Sequence, residues 1–332
     1  MRKHLIKIII VFKGTYLKIY CVIFFTYIYS IGYTQQVPRS TLYMLHQNSY
    51  NPAETAIDEL GDINIVVREQ YLNFPKSSGP QAIWFNTSFP LTFLHSGIGI
   101  SLRNQTQGFE NRMDFKLNYS YKIKLQNGIL SLGLSLGGAN LGWDIENPIY
   151  PDGSTDTYID TKIASQENFL NFLFDFGVYY KIKNIYTSFA ITEMNQPQLK
   201  YESSSGQFYK RHFWYSLGYE YKTSNPMLTI QPSLLVKSTL TSTQLNLDAL
   251  FVYNKTIIGG LSYSSSNDIS VIFGAKFGEN RKFNGMRAFF SYDIVNSKIA
   301  TQTVGSLEFM VGYSFALSVD KVNKSYKSVR FL

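Results

Sequence analysis

Three groups of residues in this 332-residue chain have side chains that could do chemistry, and each lacks a neighbour that the chemistry needs. Gly133-Leu134-Ser135-Leu136-Gly137 fits Gly-x-Ser-x-Gly, the nucleophile elbow of serine hydrolases, in which the serine sits on a sharp turn from strand into helix. Here the motif lies within an alternation of Leu130, Leu132, Leu134 and Leu136, and the residues after Gly138 have no helical period, so small residues on one face of a strand are the simpler reading. The four histidines, His4, His46, His95 and His212, are isolated, with no spacing that sets two on one face as metal ligands. Asp144, Glu146, Asp152, Asp156 and Asp160 offer oxygen ligands, but their spacing matches no calcium loop and reads as a solvated acidic loop. Neither a phosphate loop nor a dinucleotide fingerprint is present. The expectation is therefore a non-enzyme with no cofactor, no metal and no catalytic residue.

What must be positioned is a wall of strands. From Asp62 onward, apolar and aromatic residues recur at every second position, as when one face meets lipid and the other a polar lumen. Phe115, Leu117, Tyr119, Tyr121, Ile123 and Leu125 alternate with Lys116, Asn118, Ser120, Lys122 and Lys124; a helix would scatter these around its circumference. The same rhythm runs through Phe213, Tyr215, Leu217, Tyr219 and Tyr221, with Trp214 as the exception, and closes with Leu307, Phe309, Val311, Tyr313 and Phe315. Strands are predicted near 62–71, 80–89, 96–104, 113–125, 129–140, 168–183, 185–194, 208–222, 227–237, 244–253, 256–264, 269–277, 286–293 and 306–315. The fold expected is all-β, an antiparallel transmembrane β-barrel of the outer-membrane type with about 14 strands (12–14).

The connections alternate in length. Gln126-Asn127-Gly128, Lys183-Asn184, Thr223-Ser224-Asn225-Pro226 and Asn254-Lys255 have hairpin chemistry and should face the periplasm, whereas 141–167 and 195–207 should face the exterior. Two connections break the pattern, the apolar 90–95 and the long polar 278–285, which a missed or extra strand would explain. Arg68, Lys116, Lys122 and Lys124 fall on the lumen face, either as paired charges or as an anion path.

Aromatic residues make up 16% of the chain, with 25 Tyr and 25 Phe, at a mean hydropathy of −0.10 that is too polar for a bundle of membrane helices. Residues 1–34 hold Arg2, Lys3, Lys7, Lys13 and Lys18 and no acid, then the apolar run Cys21 to Ile28, then Gly32 and Thr34, the pattern of a signal peptide cleaved before Gln35. Cys21, the sole cysteine, lies in that leader, so no disulfide or thiol chemistry is expected of the mature chain. Setting aside those five basic residues leaves 26 Lys and Arg against 23 acids, a charge of +3 where the whole chain has +8, and this removes most of the case for nucleic-acid binding. The division expected is 1–34 signal peptide, 35–61 periplasmic lead-in, 62–315 barrel without a plug that folds alone, and 316–332 basic periplasmic tail.

The lead-in Tyr43-Met44-Leu45-His46-Gln47-Asn48-Ser49-Tyr50-Asn51-Pro52-Ala53, directly after a signal peptide, is similar to the start of the PorP/SprF family of type IX secretion proteins. Arg68-Glu69-Gln70-Tyr71, Gln231-Pro232-Ser233, Ser291-Tyr292-Asp293 and Gly312-Tyr313-Ser314-Phe315 extend the resemblance over nearly the whole mature chain. The resemblance implies an outer-membrane barrel of the secretion and gliding apparatus. Its partners would be a secreted surface adhesin and periplasmic or cell-wall-bound secretion components, together with outer-membrane lipid and no nucleic acid. Tyr43, Met44, Asn51, Pro52, Ala53, Arg68 and Gln70, with Lys321, Lys324, Lys327 and Arg330 of the tail, are the candidate partner-binding residues. A passive transporter of small solutes is the alternative.

Overall fold

A computed structural model describes residues 37–73, 79–108, 110–143, 169–197, 209–266, 268–278 and 284–317. The signal peptide, the acidic group in loop 141–167, most of loop 195–207 and the four basic tail residues lie outside the described residues.

The period-two alternation becomes a single closed sheet. In chain order its strands are β1 (Gly61–Glu69), β2 (Gln81–Leu91), β3 (Ser96–Gln107), β4 (Glu110–Leu125), β5 (Gly128–Trp143), β6 (Phe169–Ile182) and β7 (Ile185–Thr192). Next come β8 (His212–Tyr219, resumed after Glu220 as Tyr221–Lys222), β9 (Leu228–Ser238), β10 (Thr243–Tyr253), β11 (Ile257–Ser264), β12 (Asp268–Lys276), β13 (Met286–Val295) and β14 (Ser306–Phe315). Each strand pairs antiparallel with the next, and β14 returns to β1 with Gly61 opposite Phe315 and Glu69 opposite Leu307. Closure removes both sheet edges, so every strand finds its backbone partners within the wall.

Fourteen strands are what the sequence predicts, and among the described residues the two irregular connections add none. Residues 90 and 91 belong to β2, and the turn beyond them is one 3-10 turn, Thr92–Leu94, ended by His95 at φ 53°. The connection after β12 is drawn in by Phe277 and Gly285, whose backbones hydrogen-bond at 2.9 Å. Lys183, Asn254 and Lys255 hold the positive φ values that tight hairpins require. All of these turns lie at the end of the barrel where β1 begins and β14 finishes, called here the near end.

The two faces of the wall differ as the alternation requires. Phe115, Leu117, Tyr119 and Tyr121 point outward and are exposed, while Lys116, Asn118, Ser120 and Lys122 point into the bore and are buried. The bore is occupied by the chain itself. Residues 37–60 enter near the far end, where Arg39 bonds Asp268, and leave at the near end, where Asp58 lies 3.5 Å from Lys181 of β6. Three short 3-10 turns, Tyr43–Leu45, Gln47–Ser49 and Pro52–Glu54, fold this stretch to the width available. The central part of the stretch expected as a periplasmic lead-in lies within the barrel as a plug, where the inner wall hydrogen-bonds its backbone and covers its apolar side chains.

Leu132 faces outward and is 38% exposed, whereas its neighbour Ser131 is fully buried with Oγ donating to the Ala53 carbonyl at 2.6 Å. Leu132→Arg should cost ~2–4 kcal/mol near the bilayer midplane, read as a lower urea midpoint for loss of the heat-modifiable band in lipid vesicles. An unchanged midpoint would mean that this face does not meet hydrocarbon.

Candidate functional site

The plug's seat is built from three sets of inward-facing groups. The first is ionic. Arg68, on β1, is 2% exposed and reaches two carboxylates, Asp293 of β13 at 2.5 Å and Glu308 of β14 at 2.8 Å. Both acids also hold the plug: Glu308 accepts from the Thr41 amide at 2.7 Å, the Ser40 hydroxyl at 2.5 Å and the Leu42 amide at 3.3 Å, and Asp293 accepts from the Thr41 hydroxyl at 2.9 Å. A buried charge is tolerated only when its partners are complete, and here the plug supplies the groups that the wall lacks.

The second set is apolar. Trp84, Leu250, Ile258, Ile272, Phe289 and Met310 point inward and enclose Leu42, with Met44 and Leu45 packed against them. On the other side Val37, Tyr43 and Tyr50 pack with Ala190, Trp214 and Leu235, and the Tyr50 and Trp214 rings stack with centroids 4.9 Å apart. The Tyr43 hydroxyl, whose proton burial holds tightly, donates to Asp248 at 2.5 Å and lies 3.3 Å from the Ser233 hydroxyl.

The third set is a floor of small residues. Asn51 caps the Pro52–Glu54 turn by accepting from the Ala53 amide at 3.0 Å, and its amide group donates to the Val178 carbonyl at 3.3 Å. Gly133 of β5 and Gly177 of β6 lie directly beneath: a Cβ at Gly133 would sit 2.1 Å from the Ala53 nitrogen, and one at Gly177 would sit 2.0 Å from Asn51 Oδ1. Gly133 therefore serves close backbone approach, and the Gly-x-Ser-x-Gly match is a strand with small inward residues. Ser120 Oγ donates to the Thr55 carbonyl at 2.8 Å, and the Lys122 ammonium donates to the carbonyl of Ala56.

Of the candidate partner-binding residues, Tyr43, Asn51, Pro52, Ala53 and Arg68 are brought together inside the bore, where they hold plug and wall to each other. Met44 is half-buried at the junction of the two apolar sets, and Gln70 stands apart at the far end, its backbone N–H donating to the Pro80 carbonyl at 2.8 Å. Lumen-facing Arg68 and Lys116 are paired charges, Lys116 lying 2.5 Å from Asp175, while Lys124 is exposed near Glu59. The sequence reading missed Asp293 and Glu308 as partners of Arg68 and missed Trp84, Trp214, Leu235, Phe289 and Met310 as contact residues. The available signal was that bulky apolar residues break the polar parity of the inner face, as Trp214 does.

Two plug residues titrate from unusual positions. Burial pulls the His46 imidazole down to about 3, so it is neutral near pH 7 and makes neutral hydrogen bonds to the Ser40 and Ser49 hydroxyls, each 2.8 Å, rather than an ion pair with Glu308. Burial pushes the Glu54 carboxyl up to about 8, and nearby Asp58 adds to the shift against the opposing effect of bonds from Ser188 and Asn51. The Gln47 amide bridges this carboxyl (3.1 Å) and the Tyr186 hydroxyl (2.9 Å).

Below the plug the near end opens into a vestibule of about 510 Å³, whose lining includes Glu54, Asp58, Tyr186, Lys276 and Arg287. Among the described residues no group of three His, Cys, Asp or Glu could hold a metal ion, and no helix is long and apolar enough to cross a membrane.

Arg68→Met leaves two carboxylates buried without their counter-charge and should cost about 3–5 kcal/mol, seen as release of the plug to added protease at a lower urea concentration than in the wild type. For Glu54, a folded value raised above the ordinary 4.5 means that seating is most favoured below about 4.5 and weakens as pH rises toward about 8. Maleimide labelling of an Ala56→Cys reporter should accelerate over that window beyond the acceleration seen when the reporter also carries Glu54→Gln. Identical pH profiles for the two would remove Glu54 as the titrating group.

With the geometry in place, comparison with known proteins adds a family. The family model described as type IX secretion system membrane protein PorP/SprF matches residues 32–313. No curated protein matches the chain. Among solved structures the chain is similar to the CymD monoaromatic hydrocarbon channel, at 9% identity and a TM-score of 0.49 over 87% of this chain and 95% of that one. It is similar also to a TodX deltaS2S3 mutant monoaromatic hydrocarbon channel, at 9% identity and 0.48 over 84% and 95%, and to the Acinetobacter baumannii outer membrane protein Omp33, at 6% and 0.47 over 77% and 98%.

Proposed function

The chain belongs to the PorP/SprF family of type IX secretion system membrane proteins, and from that membership we propose that it supports secretion or surface attachment of a partner adhesin in the secretion and gliding apparatus, as a closed platform and not as an open pore. It is a β-barrel of the outer membrane. The observation that carries the platform reading is the occupied bore: Leu42, Tyr43 and Asn51 are each within 2% of complete burial, locked by groups on strands from both halves of the wall. A passive solute channel would need that path to be free.

In this reading the near end faces the periplasm, as its short turns suggest. The vestibule there and the basic tail beyond Leu317 form the face that meets a periplasmic or cell-wall-bound component. Lys321, Lys324, Lys327 and Arg330 supply a long-range attraction that weakens as salt rises. The mature chain begins near Gln35, after removal of the leader.

Deleting 319–332 should leave a heat-modifiable barrel in the outer membrane while abolishing delivery of the cognate surface protein, measured by its appearance on intact cells. Normal delivery after this deletion, with loss of delivery when the 141–167 loop is removed instead, would place the working face on the exterior.

A further inference from the structure

One arc of the bore gathers four basic side chains against three carboxylates among the described residues. Arg103 of β3 and Arg112 and Lys116 of β4 meet Asp114, Asp175 and Glu193, three cations with three carboxylates. Lys237 of β9 is a fourth cation facing the same space. It is 6% exposed, and among the described residues no carboxylate lies within ion-pair distance of it. Its ammonium donates to the Val37 carbonyl at 2.6 Å and sits 5.3 Å from the centroid of the Trp214 ring. An ammonium has three N–H groups, and neither of these contacts supplies a counter-charge.

Lys237 borders a cavity of about 40 Å³ between the plug and the wall. Arg39, Arg103 and Lys116 line the same cavity, and among the described residues Glu193 is its sole acidic lining residue. Glu193 is paired through Oε1 with Arg112 at 2.5 Å and Arg103 at 3.6 Å, and its Oε2 lies 3.4 Å from the His212 ring without a hydrogen bond. Asp268 is taken by Arg39, and His46, which also lines the space, is neutral near pH 7. Arg103 adds a buried Nε–H with no hydrogen-bond partner. A space of this size fits roughly three waters or one small anion. Burial without a counter-charge disfavours an ammonium against the neutral amine, and an anion in the adjoining space would hold it charged where water would do so only in part.

We propose that this cavity is a binding site for a small monovalent carboxylate or comparable oxyanion, with Lys237 as counter-charge and Arg103 and Lys116 as flanking donors. Because Lys237 also holds the Val37 carbonyl, the bound anion fixes the far end of the plug. The site is independent of which adhesin or periplasmic component the barrel serves.

The test uses the purified full-length mature protein in detergent, with formate or acetate titrated against gluconate at fixed ionic strength and tryptophan fluorescence as the readout, since Trp84 and Trp214 line the cavity. Formate and acetate should each produce a saturable change, and gluconate, too large for the space, none. Lys237→Gln should weaken the apparent affinity about tenfold or more, Lys237→Arg should keep it, and Lys276→Gln, in the vestibule, should leave the curve unchanged. No saturable change with formate or acetate, or an equal response to gluconate, would overturn the site without any substitution. An unaltered curve in a folded Lys237→Gln protein would overturn the role of Lys237.

Discussion

The structure depends on one guanidinium held between two carboxylates in a space closed to water. Arg68, always charged, cannot be buried inside the barrel without Asp293 and Glu308, and those acids carry more acceptor capacity than one arginine can fill. Thr41, Ser40 and Leu42 complete the set from the plug. The wall therefore lacks a satisfied interior until the plug is seated, and the plug, with only single 3-10 turns of its own, lacks a structure until the wall is closed. Each half specifies the other.

The same mutual dependence explains the composition of the inner face. A lumen filled with water asks only for polar side chains, and Trp84, Ile272, Phe289 and Met310 would be costly there. Against Leu42 they become ordinary core. Glycine at 133 and 177 has the same cause, because a side chain on either would occupy the position of the Asn51 to Ala53 backbone. These inward residues bind a segment rather than line a path, which favours a platform over a conduit and sets this chain's chemistry apart from that of an open channel.

Much of the barrel was legible because strand periodicity is a local property. Phe115, Leu117, Tyr119 and Tyr121 alternate with lysine, asparagine and serine within a single segment, and fourteen such segments with hairpin chemistry between them leave little freedom in the fold. The plug was not legible for the opposite reason. Its three short turns have no period to detect, and the partners that order it lie far off in sequence: Ser40 meets Glu308 and Arg39 meets Asp268, more than 220 residues away in each case. Ser233 and Asp293 were singled out by resemblance, and Arg68 also by its place on the lumen face, but what they share with the plug became visible only once the sheet had closed around residues 37–60. Trp214 was one local hint, an aromatic ring on the face that should have been polar.

If the plug seals the barrel, sealing must be lost when the plug is removed and the wall is kept. Single-channel recording in planar lipid bilayers compares the mature protein with a variant that lacks residues 37–58, verified as a folded, heat-modifiable barrel. The account predicts no steady conductance from the intact protein and a stable, ohmic pore from the variant. Equal, sustained conductance from both would contradict it, because it would mean that the bore is open around residues 37–60 and that the protein is a channel.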